Sequence, residues 1–310
     1  MARIGSTDLD VFPLCLGGNV FGWTADEKQS FAVLDAYAEA GGNFVDTADA
    51  YSAWAPGNSG GESETILGRF MAARGNRDRV VVATKVGKLA GLTGLSAKTV
   101  RTAAEGSLRR LGTDRIDLYY AHADDPATPL EETLGAFDAL VREGKVRHVA
   151  ASNYGAARLA EALAISKARG FARFEALQPH YNLVHRSDYE GPLADLCARE
   201  GLACFPYYSL ASGFLAGKYR PGGAVESARS GAASRYLDER GLRVLAALDA
   251  VAAARATTVA AVALAWLLAR PTVVAPIASA RTTAQFVDLL PAATLALTSE
   301  EVRRLDEASA

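Results

Sequence analysis

The sequence predicts an α/β fold, a (β/α)8 TIM barrel in which a parallel eight-stranded barrel carries outer helices and a short N-terminal hairpin. Three observations support this. Short apolar runs alternate with longer amphipathic stretches along the whole chain, eight such runs are present, and no GxGxxG turn follows the first. Eight strands that each need a crossover helix leave a closed barrel or an open doubly wound sheet. The open sheet calls for the glycine fingerprint. Here the first run is followed by Gly17, Gly18, Asn19, Val20, Phe21 and Gly22, a flexible turn of different spacing. At 310 residues the chain suits one barrel, since such domains use about 250 residues or more, and residues 1–310 are expected to form one domain.

The strand candidates are residues 12–16, 44–46, 80–85, 116–121, 146–151, 175–178, 203–207 and 273–276. Helical periodicity falls on 27–40, 62–74, 97–111, 130–143, 156–168 and 192–200. Gly41, Gly112, Gly144, Gly170 and Gly201 stand where a left-handed residue closes a helix. The alanine-rich stretch 245–269 keeps a helical period and predicts paired outer helices, the second ending before Pro271. Two regions break the rhythm, a loop at 50–59 with Trp54, Pro56 and Gly57, and a long Gly, Ser and Ala-rich segment at 210–237 that reads as a cofactor or substrate cover.

Half the residues are apolar, 22% are charged and the formal net charge is -2, an ordinary balance for a globular enzyme. No long run of one sign offers a footprint for nucleic acid or anionic lipid. The N-terminus lacks the order of a signal peptide, and no apolar stretch reaches the roughly 18 residues that span a bilayer, so a cytoplasmic protein is expected. Cys15, Cys197 and Cys204 sit in apolar surroundings without CxxC spacing, which predicts buried thiols and neither disulfides nor a metal site.

In such a barrel the chemistry sits at the C-terminal ends of the strands. Those ends are polar throughout: Asp46, Lys85, His122, Ser152 with Asn153, Gln178, and Tyr207 with Tyr208. Each alone could cap a helix or satisfy a loop; together they would line one mouth. Asp46, Tyr51, Lys85 and His122 suggest carbonyl reduction. A tyrosine has an ordinary pKa near 10, a lysine ammonium beside it would lower that value, and a carboxylate would hold the lysine charged. His122 could orient the carbonyl or share its proton. A purely structural alternative is a buried Asp46–Lys85 pair with a packed tyrosine beside it.

At these residues the sequence resembles the aldo-keto reductase superfamily over essentially its whole length. Asn43 to Ala48 with Tyr51, then Gly60, Gly61, Glu62, Ser63, Glu64, Leu67 and Gly68, resemble the family's first signature. Val82 to Lys85 resemble the segment carrying its lysine, and Leu111 to Tyr119 lead into His122 as the family pattern does. The resemblance implies Asp46, Tyr51, Lys85 and His122 as the catalytic residues of an NADPH-dependent reductase of aldehydes or ketones, with Tyr51 as proton donor and no metal. The substrates implied are sugars, aliphatic or aromatic aldehydes, or keto natural products.

The resemblance also implies the cofactor contacts. Gly18, Asn19 and Asp46 belong to the early strand ends, and Ser152, Asn153 and Gln178, with Tyr181, Asn182 and Leu183 beyond it, to the nicotinamide amide site. Tyr207 corresponds to the aromatic that stacks on the nicotinamide. Tyr208, Ser209, Leu210, Ser212 and Gly213 with Lys218 resemble the loop that closes over the pyrophosphate. Ser279, Arg281, Gln285 and Asp288 resemble the site for the 2'-phosphate and adenine, which favours NADPH over NADH. Two positions depart: Tyr208 and Ser209 replace a usual Ser-Pro, and Leu289 replaces an Asn. Trp23, Trp54 and Tyr208 are expected at the rim of the substrate pocket. Two other readings are an NADPH-binding sensor or regulatory subunit with slow turnover, and a Schiff-base lyase using Lys85. The dinucleotide apparatus downstream argues against the lyase, and the filled catalytic positions against the sensor.

Overall fold

The computed structural model describes residues 1–223 and 227–310. Eight parallel strands form the central sheet: β1 (Cys15–Gly17), β2 (Phe44–Asp46), β3 (Val81–Val86), β4 (Ile116–Ala121), β5 (Val146–Ser152), β6 (Phe174–Gln178), β7 (Ala203–Cys204) and β8 (Ile277–Ala278). Each pairs with its neighbour in sequence, and β8 pairs with β1. The remaining seam is closed by bonds from Cys204 N to Thr272 O, from Val274 N to Cys204 O and from Ile277 N to Pro206 O. The sheet is thus a barrel.

The eighth strand differs from the expected 273–276. Val273 forms only a bridge to Cys204, and the paired strand begins at Ile277. Pro276 carries no N–H and cannot donate to a ladder, so regular pairing resumes after it. Strand seven is likewise cut to Ala203–Cys204 ahead of Pro206, and Tyr207 pairs with His180 as an isolated bridge.

Seven helices lie between consecutive strands or follow the seventh: α1 (Glu27–Glu39), α2 (Glu62–Arg74), α3 (Ala97–Leu111), α4 (Leu130–Arg142), α5 (Ala156–Arg169), α6 (Pro192–Glu200) and α7 (Glu239–Ala254). They are followed by α8 (Val259–Leu268), α9 (Thr283–Leu289) and α10 (Ser299–Ser309). Local signals explain their ends. Asp26 and Gln29 form a capping box at α1, Ser96 caps α3, and Gly112, Gly170 and Gly201 close α3, α5 and α6 at positive φ. At the α2–α3 crossing, a Cβ on Gly68 would lie 2.5 Å from the carbonyl oxygen of Arg110, so only glycine permits that approach. The 210–237 segment holds a 3-10 stretch at Ala211–Ala216 and a short helix at Ser230–Ala233; its residues 224–226 lie outside the described residues.

Strand alternation places the site. Because side chains alternate across a strand, Phe44 and Asp46 face the lumen together, as do Ala83 with Lys85 and Ala176 with Gln178. Phe44, Ala83, Leu118, Tyr120, Ala150 and Ala176 fill the lumen as one apolar cluster. The N-terminal hairpin, Ala2–Arg3 against Asp10–Val11, adds Ile4, Leu9 and Val11 to that cluster and plugs the lower end. The polar members are left at the upper end. All three cysteines are buried and free, and no single helix among the described residues is long and apolar enough to cross a membrane.

Candidate active site

Asp46, Tyr51 and Lys85 form one hydrogen-bonded unit at the upper end of the barrel. Lys85 Nζ donates to Asp46 Oδ2 at 2.7 Å, to Thr47 O at 2.7 Å and to Tyr51 Oη at 2.9 Å. An ammonium has three hydrogens and no acceptor, so all three are used. Tyr51 Oη donates to the same carboxylate oxygen at 3.0 Å, and Gln178 Nε2 donates to Asp46 Oδ1 at 2.9 Å. Asp46 and Lys85 are buried. An ion pair this deep is held because both carboxylate oxygens and all three ammonium hydrogens have partners.

The direction of the Tyr51 pKa corrects the expectation from sequence. Burial, with the charge and hydrogen bond of Asp46, raises the phenol well above its usual 10. Lys85 lies close enough to help, but it shares its charge with Asp46, and its own pKa is lowered by burial against the pull of that carboxylate. The resting group is therefore a firmly protonated phenol. Burial and the charges of Lys85 and Lys88 hold His122 well below 6.5, so its ring is neutral at pH 7. The His122 and Tyr51 rings meet edge-on at 6.1 Å, and His122 Nδ1 is buried without a partner among the described residues.

Asp46, Tyr51 and His122 line a cavity of about 620 Å³, with Lys85 buried behind them. Ser152, Asn153, Gln178 and Tyr207 line it on one side, Gly17, Asn19 and Ser279 on another. Gly18 does not line it; the Gly18 carbonyl instead accepts from Ser63 Oγ at 2.8 Å. Tyr207 Oη donates to Asn153 Oδ1 at 2.7 Å, which fixes the ring across the mouth. Tyr208, Ser209, Leu210, Ser212 and Gly213 complete the wall. A second cavity of about 250 Å³ takes in Lys218, Arg281, Gln285 and Asp288, and shares Leu210, Ser212, Gly213, Arg229 and Ser279 with the first. The two form one trough. Of the six described non-glycine residues at positive φ, Asn153, Tyr208 and Ser212 line it, and Ser52 and Ala211 adjoin lining residues. Strained backbone of this kind concentrates at binding sites.

Residues 13–310 match the model of the aldo/keto reductase family. The chain belongs to the aldo/keto reductase family. It is 32% identical to norsolorinic acid reductase A of Aspergillus parasiticus over 98% of this chain and 79% of that one. It is 29% identical to an aryl-alcohol dehydrogenase of Pestalotiopsis microspora, covering 97% of this chain and 80% of the relative. A probable voltage-gated potassium channel subunit beta of Oryza sativa subsp. japonica is 32% identical over 85% and 82% of the two chains. Membership makes the chain an oxidoreductase acting on carbonyl or alcohol groups.

Of the expected rim residues, Trp54 and Tyr208 line the reductase's main cavity and are about half exposed, at 50% and 49%. Trp23 lines neither cavity. It packs edge-on against Trp54 at 5.6 Å and carries the Arg229 guanidinium over its other side at 5.6 Å, so it supports the rim from behind. Arg229 was not legible in the sequence. It lines both cavities and forms no ion pair among the described residues, and burial lowers its pKa. Lys88 lines the main cavity from a hairpin, Lys88–Leu89 against Leu92–Thr93, that no local pattern announced.

Behind Lys85 lies a second buried acid. Both carboxylate oxygens of Asp49 are buried without a partner among the described residues, and burial together with the charge of Glu64 pushes its pKa up to about 7. Glu64 itself is held by Thr84 Oγ1 at 2.5 Å and Arg110 Nε at 2.7 Å. An acid whose folded pKa lies above its unfolded value of 3.8 binds more protons when folded, so it costs stability increasingly as pH rises from about 4 to 7. Asp49→Asn is therefore expected to raise the thermal midpoint at pH 8 and to leave it nearly unchanged at pH 4. Melts of both proteins across that range test this, and a gain of equal size at both pH values would refute it.

Proposed function

We propose that the enzyme reduces an aldehyde or ketone to the alcohol with NADPH, Tyr51 giving the proton to the carbonyl oxygen. The observation that carries this reading is the Asp46–Lys85–Tyr51 unit, with its phenol 2.9 Å from an ammonium and beside the neutral ring of His122. Bound NADPH would supply the hydride to the carbonyl carbon. The chain's residues do the rest. Swinging its hydrogen from Asp46 toward the cavity aims the Tyr51 hydroxyl at substrate, while Asp46 keeps Lys85 and Gln178 as donors. As the proton leaves, the Lys85 charge stabilises the phenolate that forms, an interaction stronger in the transition state than in the resting phenol. His122, neutral, offers one N–H to position the carbonyl oxygen and no second proton to compete with Tyr51.

The donor set suits a dinucleotide phosphate. Ser152, Asn153 and Gln178 would hold the carboxamide, the Tyr207 ring would stack on the nicotinamide, Lys218 and Arg229 would take the pyrophosphate, and Arg281 beside Gln285 the 2'-phosphate, with Asp288 toward the adenine. The relative named as an aryl-alcohol dehydrogenase supports a carbonyl or alcohol attached to an aromatic ring.

NADPH absorbance recorded with aromatic aldehydes, short aliphatic aldehydes and keto sugars tests the reading, and no turnover with any of them refutes it. Arg281→Met is expected to raise the KM for NADPH about tenfold or more and to change that for NADH little, since only NADPH brings the extra phosphate. Equal losses with both cofactors would move the phosphate site elsewhere.

A further inference from the structure

The main cavity contains a positive charge that the reaction does not use. Its lining includes one carboxylate, Asp46, which Lys85 neutralises at 2.7 Å. Lys88 lines the same cavity, and among the described residues it has no ion-pair or hydrogen-bond partner for its ammonium. It stands close enough for its charge to act on His122.

The hairpin that carries it is anchored. Gly94 N donates to Gly87 O at 3.0 Å to close the hairpin, and Leu95 N donates to Asp125 Oδ2 at 2.8 Å to anchor it. A Cβ on Gly94 would come within 2.8 Å of the same Asp125 oxygen, so the ribbon seats tightly against that side chain. Trp54 and Tyr208, both about half exposed, line the same cavity, along with the small side chains of Ala50, Ala53 and Ala90. Two aromatic faces suit a flat ring. An unpaired ammonium on the cavity wall, exposed and close enough to act on His122, suits an anionic group on that ring.

We propose that Lys88 makes the enzyme selective for aromatic carbonyl compounds that carry an anionic substituent, a carboxylate or a phenolate, away from the reacting carbon. The proposal rests on the reductase reading above and adds the substrate class. With the carbonyl held at Tyr51 and His122, the ring lies between Trp54 and Tyr208 and the anion meets Lys88. Arg229 belongs to the part of the trough shared with the second cavity and is assigned to the cofactor.

The test compares 4-carboxybenzaldehyde with its methyl ester, an uncharged analogue of nearly the same shape. The wild-type enzyme is expected to favour the acid by about tenfold in kcat/KM, mostly through KM, as a charge-assisted hydrogen bond provides. That ratio is expected to fall to about one in Lys88→Met and to invert in Lys88→Glu. An unchanged ratio in Lys88→Met overturns the proposal, as does collapse of the ratio in Arg229→Gln but not in Lys88→Met. If the ester is reduced as fast as the acid, the reductase reading stands and the substrate class fails. If neither aldehyde is reduced while a member of the wider panel is, the substrate class fails and the reductase reading stands; if nothing in the panel is reduced, the reductase reading fails. Quenching of tryptophan fluorescence by 4-(hydroxymethyl)benzoate against its methyl ester then decides whether Lys88 selects the anion, and equal affinities overturn that as well.

Discussion

Tyr51→Phe is expected to lower kcat by about a thousandfold while the protein folds and binds NADPH as before. General acid catalysis by a placed side chain contributes on the order of 10²–10⁴, and a thousandfold loss is about 4 kcal/mol of activation free energy. The substitution removes one hydroxyl, and Asp46 keeps Lys85 at 2.7 Å and Gln178 at 2.9 Å, so the buried carboxylate stays satisfied. Steady-state rates beside a cofactor titration by fluorescence separate the two effects. Retention of more than a tenth of the wild-type kcat would mean that the proton comes from elsewhere, with His122 the next group to examine.

Lys85→Met acts on both activity and folding. It takes the cation from Asp46, from Thr47 O and from the phenol at once. Removing one partner of a buried pair costs about 3–5 kcal/mol because the other charge is left uncompensated. Here Tyr51 and Gln178 remain on the carboxylate, which argues for about 3 kcal/mol, the lower end of that range. Activity is expected to fall at least as far as in Tyr51→Phe, since the phenolate loses the cation hydrogen-bonded to it. In the double variant Lys85→Met/Asp46→Asn, no buried charge is left behind, so stability is expected to recover part of the loss while activity does not. Denaturant melts of the two variants measure this. A double variant less stable than the single one would contradict the account of the pair.

The barrel and the central part of the site were legible because both follow from local pattern. The two-residue period of strands sends Phe44 and Asp46, or Ala83 and Lys85, to the same face, and each apolar run ends in its polar member. The eighth strand was misplaced because Val273 and Val274 look like a strand, whereas Pro276 interrupts the ladder and the pairing with β1 begins at Ile277. The direction of the Tyr51 pKa was missed for a different reason. A lysine beside a tyrosine lowers the phenol only if its charge is free, and burial depth together with sharing by Asp46 belongs to tertiary structure. Asp49 is inconspicuous in a loop sequence, and the burial of its carboxylate near Glu64 arises from tertiary packing. Arg229 sits in a long segment with no periodicity to read. Trp23 and Trp54 were equivalent in sequence, and only their stacking order separates the rim residue from the one behind it.

The most direct test of the reductase account is label transfer. NADPH carrying deuterium at both C4 positions of the nicotinamide, turned over with an aromatic aldehyde in ordinary water, is expected to leave deuterium on the carbinol carbon of the product. Unlabelled NADPH in deuterated water is expected to leave none there, because the proton that passes through Tyr51 goes to oxygen and exchanges. A product whose carbon takes its hydrogen from water, or whose carbon stays unlabelled with the deuterated cofactor, would contradict hydride transfer at this site.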